Sequence, residues 1–149
     1  MKLLFVCLGN ICRSPAAESI ANQMLEELSI SAHCDSAGIT GYHSGESADS
    51  RMRAALQRRG YKCLSRSRQV ISDDFMEFDY IIAMDHSNYQ NLLSQAPNQH
   101  PAKIIKMCDY SSDSAVKEVP DPYYGGEDGF FRVIDILEDS MKNFLKSLT

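Results

Sequence analysis

Four short apolar runs alternate with amphipathic stretches along the chain, and that alternation predicts the architecture before any side-chain chemistry is considered. The first run, Leu3-Leu4-Phe5-Val6, has no polar interruption, the pattern of a strand buried on both faces. It ends at Cys7. After a glycine-bearing stretch, Ser14-Pro15 opens a helix to about Leu28, with serine suited to the N-cap and proline to the first helical position. A second strand is predicted over about Ala32 to Ser36, ending in Ala37-Gly38, and the polar segment Ile39 to Ser47 reads as a loop. Ala48 to Arg59 has helical spacing at Met52, Ala55 and Leu56, with Gly60 as C-cap. Ser72 is expected to cap a short helix that starts at Asp73 and leads into Phe78, and Tyr80 to Met84 is the third strand, ending at Asp85. Ser87 to Gln95 reads as a helix stopped by Pro97, and Ala102 to Met107 as the fourth strand. A long loop, Ser111 to Asp128, precedes a last helix that begins after Gly129 and runs to about Leu148. Phe130, Val133, Ile134, Leu137, Met141, Phe144, Leu145 and Leu148 fall on one face of it, the signature of core packing.

Strands that alternate with helices imply crossover connections and a parallel sheet, so the expected class is α/β: one three-layer domain with a four-stranded parallel sheet flanked by helices. A length of 149 residues fits a single domain, and 44% hydrophobic with 23% charged content is ordinary for a globular one. The formal net charge of -5 argues against nucleic-acid binding, which rests on basic patches facing phosphates. Basic clusters at Arg51 to Arg59 and Arg66 to Arg68 read as solvated faces in preference to docking patches. The first apolar run is too short for a signal peptide or a membrane span, so a cytoplasmic location and no membrane partner are expected. Five cysteines, an odd number with no C-x-x-C pair, argue against a zinc site or a secreted disulfide framework.

The chemistry concentrates where the first strand meets the first helix. Backbone amides from Leu8 through Gly9, Asn10, Ile11 and Cys12 to Arg13 can converge at the positive end of a helix, which is a cradle for an oxyanion, here a phosphate loop after strand 1. Cys7 would lie at its floor, where those amides and the Arg13 guanidinium favour a thiolate. A thiolate attacks phosphorus readily, and the planar fork of Arg13 can hold two oxygens of a phosphoryl group, a geometry lysine lacks. Asn10 sits where a left-handed conformation is expected and can pin the loop, and Ser14 can donate to the sulfur as well as cap the helix. The alternative for Cys7 is a buried thiol behind a turn. Asp121, between Pro120 and Pro122 in the long loop, can be a general acid or merely a turn aspartate, and the residues alone do not separate the two.

The segment Cys7-Leu8-Gly9-Asn10-Ile11-Cys12-Arg13-Ser14-Pro15 resembles the phosphate loop of the low-molecular-weight protein tyrosine phosphatases, and Asp121-Pro122-Tyr123-Tyr124 resembles their general-acid loop. Asp35-Ser36-Ala37-Gly38, Asp49-Ser50-Arg51, Asp74-Phe75, and Phe78-Asp79-Tyr80-Ile81 through Met84-Asp85 are similar to family segments in the same order. The resemblance implies hydrolysis of phosphotyrosine in proteins and of small aryl phosphates, without metal or other cofactor, with inorganic phosphate as product. Cys7 would be the nucleophile, Arg13 the phosphate clamp and Asp121 the general acid and base. Leu8, Gly9, Asn10, Ile11, Cys12 and Ser14 would form the substrate cradle. Tyr42, Tyr123 and Tyr124 would wall a cleft deep enough for a phosphotyrosine ring, and Ser36 would hydrogen-bond the loop asparagine. Cys12 is either a reversible disulfide partner of Cys7 or a small buried thiol supporting the loop. A monomer is the default.

Two rivals share this fold. A thioredoxin-coupled arsenate reductase needs further resolving cysteines closely spaced downstream, and the region Asp73 to Pro101 has none. A protein arginine phosphatase carries threonine at the position of Ile11, and an apolar β-branched wall suits a flat ring better than a guanidinium. A catalytically silent phosphate binder is a third possibility, disfavoured by the intact set of Cys7, Arg13 and Asp121.

Overall fold

A computed structural model describes residues 1–123 and 125–149. Its centre is strand β1, Lys2–Cys7, flanked in an all-parallel sheet by β2 (His33–Gly38) on one side and β3 (Tyr80–Ala83) on the other, with β4 (Lys103–Lys106) outside β3. The chain leaves β1 for β2 and only later returns to the opposite side for β3. The strand order therefore reverses at β1, and in open parallel sheets ligands bind outside the carboxyl ends of strands at such a switch point. Cys7, the last residue of β1, pairs in register with Gly38 at that end.

Alternation along β1 feeds two separate cores. Leu3 and Phe5 turn toward helices α1 (Arg13–Glu27) and α5 (Glu127–Ser147), where they join Ile20, Leu137, Met141 and Phe144. Leu4 and Val6 turn the other way, onto Phe75, Phe78 and Leu92 beneath α3 (Asp74–Glu77) and α4 (His86–Gln95). Because both faces are covered, every residue from Leu3 to Val6 is fully buried. Helix α2, Ser50–Arg58, packs Met52 and Leu56 into the α1/α5 core. Its arginines reach α5, Arg58 to Glu127 at 2.6 Å and Arg59 to Asp135 at 2.9 Å.

Several element boundaries differ from those predicted: α3 has Asp73 rather than Ser72 at its N-cap, α4 begins at His86 because Asp85 caps it, and β4 stops at Lys106, before a 3-10 turn over Met107–Tyr110. Helix α1 begins at Arg13, and its N-cap, Cys12, makes no side-chain cap bond, so Ser14 lies inside the first turn with its hydroxyl free for other work. Helix α2 begins at Ser50, because Asp49 supplies the cap by accepting from the Arg51 amide. Helix α5 begins at Glu127 rather than after Gly129, since Glu127 and Asp128 suit the positive end of a helix well enough to draw the glycine into its first turn.

Candidate active site

The loop from Cys7 to Arg13 is held open from outside. The Cys7 carbonyl accepts from the Ile39 amide at 2.9 Å, that of Leu8 from Thr40 at 2.9 Å, that of Ile11 from Asp49 at 2.8 Å, and that of Gly9 from Ser67 Oγ at 3.1 Å. With these four carbonyls facing outward, the loop's amide edge is left for the interior, as an oxyanion cradle requires. The Asn10 amide donates to Cys7 Sγ at 3.2 Å. Asn10 itself has φ 57°, the left-handed conformation that closes the loop. Its side chain donates to Ser14 Oγ at 2.8 Å while its Oδ1 accepts from the Arg68 amide at 3.0 Å. Ser14 Oγ in turn lies 3.1 Å from Cys7 Sγ. Gly38 completes the fit: a Cβ there would stand 2.9 Å from the Thr40 carbonyl oxygen and 3.1 Å from the backbone of Gly9, so any larger residue would push the loop inward.

Arg13 is buried against this floor. Its Nη1 donates to Asp85 Oδ2 at 2.6 Å and to the Val119 carbonyl at 3.1 Å. Both protons of one nitrogen are thereby committed, and the opposite edge of the fork stays available for two oxygens. Burial opposes the Arg13 charge, but the Cys7 sulfur, Asp85 and Asp121 outweigh it and hold the guanidinium above its ordinary range. Asp121 arrives from the long loop with Oδ2 3.7 Å from Arg13 Nη2, half exposed, while its Oδ1 accepts from the Tyr123 amide at 3.0 Å.

Above the floor opens a cleft of about 340 Å³ lined by Cys7, Leu8, Gly9, Ile11, Cys12, Arg13, Tyr42, His43, Asp121 and Tyr123. Nine of the residues singled out in the sequence thus meet around one cavity, together with His43. Asn10 and Ser14 lie beneath it, and Tyr124 falls outside the described residues. Tyr123 is steadied by the Arg51 guanidinium, 5.4 Å from its ring centre, which also covers Phe130 of α5 at 4.9 Å. Tyr42 is almost fully exposed and contributes to the cleft only at its mouth.

Cys12 is the second buried thiol of the loop. Burial pushes its thiol far up, and Asp49, Cys7 and Asp121 add to the effect, so it stays protonated at any physiological pH. Both thiols are free.

Ser36 does not take the part expected of it. Its hydroxyl is buried under β2 and does not bond Asn10, whose amide is engaged at one end by Ser14 and at the other by Arg68. Arg68 was legible only as part of a basic cluster. It bridges Asp35 at 3.0 Å and Asp74 at 3.0 Å, so the segment that pins Asn10 is itself fixed to β2 and α3. Asp85 carried a signal that composition alone does not flag: an acid immediately after the third strand, at the sheet edge where sites gather.

Comparison with known proteins agrees with this geometry. The sequence matches the family model described as low molecular weight phosphotyrosine protein phosphatase over residues 2–149. A curated relative of that name from Schizosaccharomyces pombe is 40% identical, the match covering 99% of this chain and 97% of the relative. A crystal structure of a protein tyrosine phosphatase from Entamoeba histolytica, with Hepes in its active site, is 55% identical with a TM-score of 0.96, covering 99% of this chain and 96% of that one. A Drosophila arginine phosphatase has the same TM-score, 0.96, at 31% identity, covering 100% of this chain and 98% of that one.

Proposed function

This chain belongs to the low molecular weight phosphotyrosine protein phosphatases, and from that premise we propose that it hydrolyses phosphotyrosine in proteins through a phosphoenzyme formed on Cys7. The observation that carries the proposal is the convergence of Cys7, Arg13 and Asp121 on one cleft, with Arg13 Nη2 3.7 Å from Asp121 and Cys7 Sγ held by the Asn10 amide and Ser14.

The phosphoryl group enters the cradle and its oxygens meet the loop amides and the free edge of Arg13. Cys7 Sγ attacks phosphorus: an S–P bond forms, the P–O bond to the phenol breaks, and the leaving oxygen takes a proton from Asp121. Water then attacks the phosphorus of the cysteinyl phosphate, giving its proton to Asp121, and the S–P bond breaks to release inorganic phosphate and the thiolate. Arg13 and the amides stabilise the charge on the equatorial oxygens in both steps. Ser14, by its contact with the sulfur, supports the thiolate as leaving group.

The alternative reading is a protein arginine phosphatase, acting on a P–N rather than a P–O bond, and the Drosophila arginine phosphatase of similar fold supports keeping it. Ile11, which lines the cleft here, favours a flat aryl ring as substrate. A reducing, cytoplasmic setting and a monomeric state complete the proposal, the first in keeping with five free cysteines. The test is turnover of p-nitrophenyl phosphate and phosphotyrosine peptides in the presence of EDTA. Full activity is expected there, with Cys7→Ser and Arg13→Ala close to inactive. Retained turnover in Cys7→Ser, or loss in EDTA restored by a divalent ion, would overturn the mechanism.

A further inference from the structure

A second groove, of about 400 Å³, opens beside the catalytic cleft and shares Ile11, His43 and Tyr123 with it as a common wall. A phosphotyrosine side chain seated on Cys7 delivers its own main chain to the mouth of the cleft, so a neighbouring residue of the same peptide is carried over that shared wall. The floor beyond is made by the start of α2 and the turn before it, with Glu46, Asp49 and Arg53 as its ionisable groups.

The charges there are not equivalent. Glu46 faces His43 Nδ1 at 2.7 Å. Asp49 is engaged by Arg51 through the amide at 2.8 Å, Nε at 3.1 Å and Nη2 at 2.9 Å, and the arginine beside it holds its carboxyl below the usual carboxylate range. Arg53 donates Nε to the Ala48 carbonyl at 2.9 Å, which fixes the side chain across the groove, and it enters no ion pair among the described residues. Its neighbours on α2 are otherwise occupied: Arg51 with Asp49, Arg58 with Glu127, and Arg59 with Asp135 and Glu138.

We propose that this groove is a substrate subsite in which Arg53 receives an acidic side chain flanking the phosphotyrosine of the protein substrate. The proposal rests on the phosphatase reading above and deepens it from reaction type to sequence preference. Continuity with the cleft says what enters, and the one cation of the groove left without a carboxylate says which charge is favoured. The effect belongs mainly to productive encounter and to KM, because Arg53 touches neither the phosphoryl group nor the leaving oxygen.

The experiment measures kcat/KM for phosphotyrosine peptides that differ by one residue, Glu, Gln or Lys, at each position from three before to three after the phosphotyrosine. In the parent enzyme at least one position should prefer Glu over Gln by about two- to fivefold, the size of one solvent-exposed ion pair, and the preference should shrink as salt is raised. Arg53→Met keeps the aliphatic stem and should bring that ratio to unity, Arg53→Glu should invert it in favour of Lys, and both should retain parental turnover of p-nitrophenyl phosphate. A parent enzyme indifferent to charge at all six positions would overturn the proposal without any variant, and so would a Glu preference that survives in Arg53→Met. Absence of turnover on p-nitrophenyl phosphate as well as on every peptide would bring down the phosphatase reading itself.

Discussion

Asp85 performs two jobs with two oxygens, and substitutions that separate them measure how the phosphate clamp is held. Oδ2 receives Arg13 Nη1 at 2.6 Å, and Oδ1 caps α4 by accepting from the Asn88 amide at 2.7 Å. Asp85→Asn preserves the cap, since asparagine is as good an N-cap as aspartate. What it loses is charge: a hydrogen bond to an ionised partner contributes about 1.5–3 kcal/mol and a neutral one about 0.5–1.5, a difference of about 1–1.5 kcal/mol. That is close to tenfold in kcat/KM if it falls on the transition state. Asp85→Ala removes both bonds. Breaking one partner from a buried pair costs about 3–5 kcal/mol, and the Val119 carbonyl, Asp121 and the Cys7 sulfur, which also face Arg13, place the expected loss at the lower end, about a hundredfold in kcat/KM. Loss of the cap, about 1 kcal/mol, should appear separately as a Tm lower by about 3 °C. The assay is steady-state hydrolysis of p-nitrophenyl phosphate with inorganic phosphate as competitive inhibitor, beside thermal unfolding. A weaker phosphate Ki in Asp85→Ala is expected, because the freed guanidinium no longer presents a fixed edge. If kcat/KM stays within about threefold of the parent and Ki does not move, Arg13 holds itself. If Ki tightens, Asp85 competes with the substrate for the guanidinium and the positioning argument is wrong.

Asp121→Asn should slow phosphotyrosine, whose phenol has a pKa of about 10, far more than an aryl phosphate with a strongly acidic phenol, read as phosphoenzyme formation by rapid mixing; an equal slowing of all substrates would make Asp121 a positioning residue. Ile11→Thr enlarges and polarises the cleft wall and should raise kcat/KM for phosphoarginine relative to phosphotyrosine several-fold, whereas an unchanged ratio would show that Ile11 does not set the choice. Burial pushes the thiol of Cys34 up to about 12 and that of Cys108 up to about 11, with nearby carboxylates adding to both. These thiols keep their protons in the fold while the unfolded chain loses them near pH 8.5–9, so the native state binds more protons and stability falls as pH rises from 9 toward 11, by up to about 1.4 kcal/mol per pH unit for each. Urea unfolding at stepped pH should therefore show a shallower alkaline decline in Cys34→Ala than in the parent, and equal slopes would refute the assignment.

How much of this was legible before the structure depends on how far along the chain a cause lies from its effect. β1 could be read because Leu3 to Val6 is apolar at every position, and burial on both faces leaves no other solution. The α5 face could be read because seven of its apolar positions return at helical spacing to one core. Boundaries were misread where two local signals competed. Ser14-Pro15 has the composition of a cap and first turn, yet the serine hydroxyl is drawn to Asn10 and the Cys7 sulfur, and the helix starts one residue earlier without a side-chain cap. At Gly129 the breaker residue lost to the two acids that precede it. The partnership of Ser36 with Asn10 came from resemblance, and the chain answers it with Arg68, whose backbone amide carries no sign of that role in the residue's identity.

The same division runs through the site and says what its motif encodes. The reacting groups Cys7 and Arg13 lie six positions apart, so a short motif can specify them. The restraints on the loop come from Ile39 and Thr40 after β2, Asp49 before α2, Ser67 and Arg68 before α3, and Asp85 after β3. Four of these contacts, from Ile39, Thr40, Asp49 and Arg68, are made by a backbone amide, which the identity of the restraining residue does not encode. A chain could therefore keep the motif intact and lose the cradle. The intact motif states which reaction is chemically available, and the parallel sheet, by bringing the ends of β2 and β3 to the edge on either side of β1, makes the geometry in which it can proceed. Gly38 is where the two requirements touch: it ends β2 in register with Cys7 and leaves no room for a Cβ against the loop. The fold tolerates only glycine there for a reason that belongs to the chemistry of the neighbouring strand.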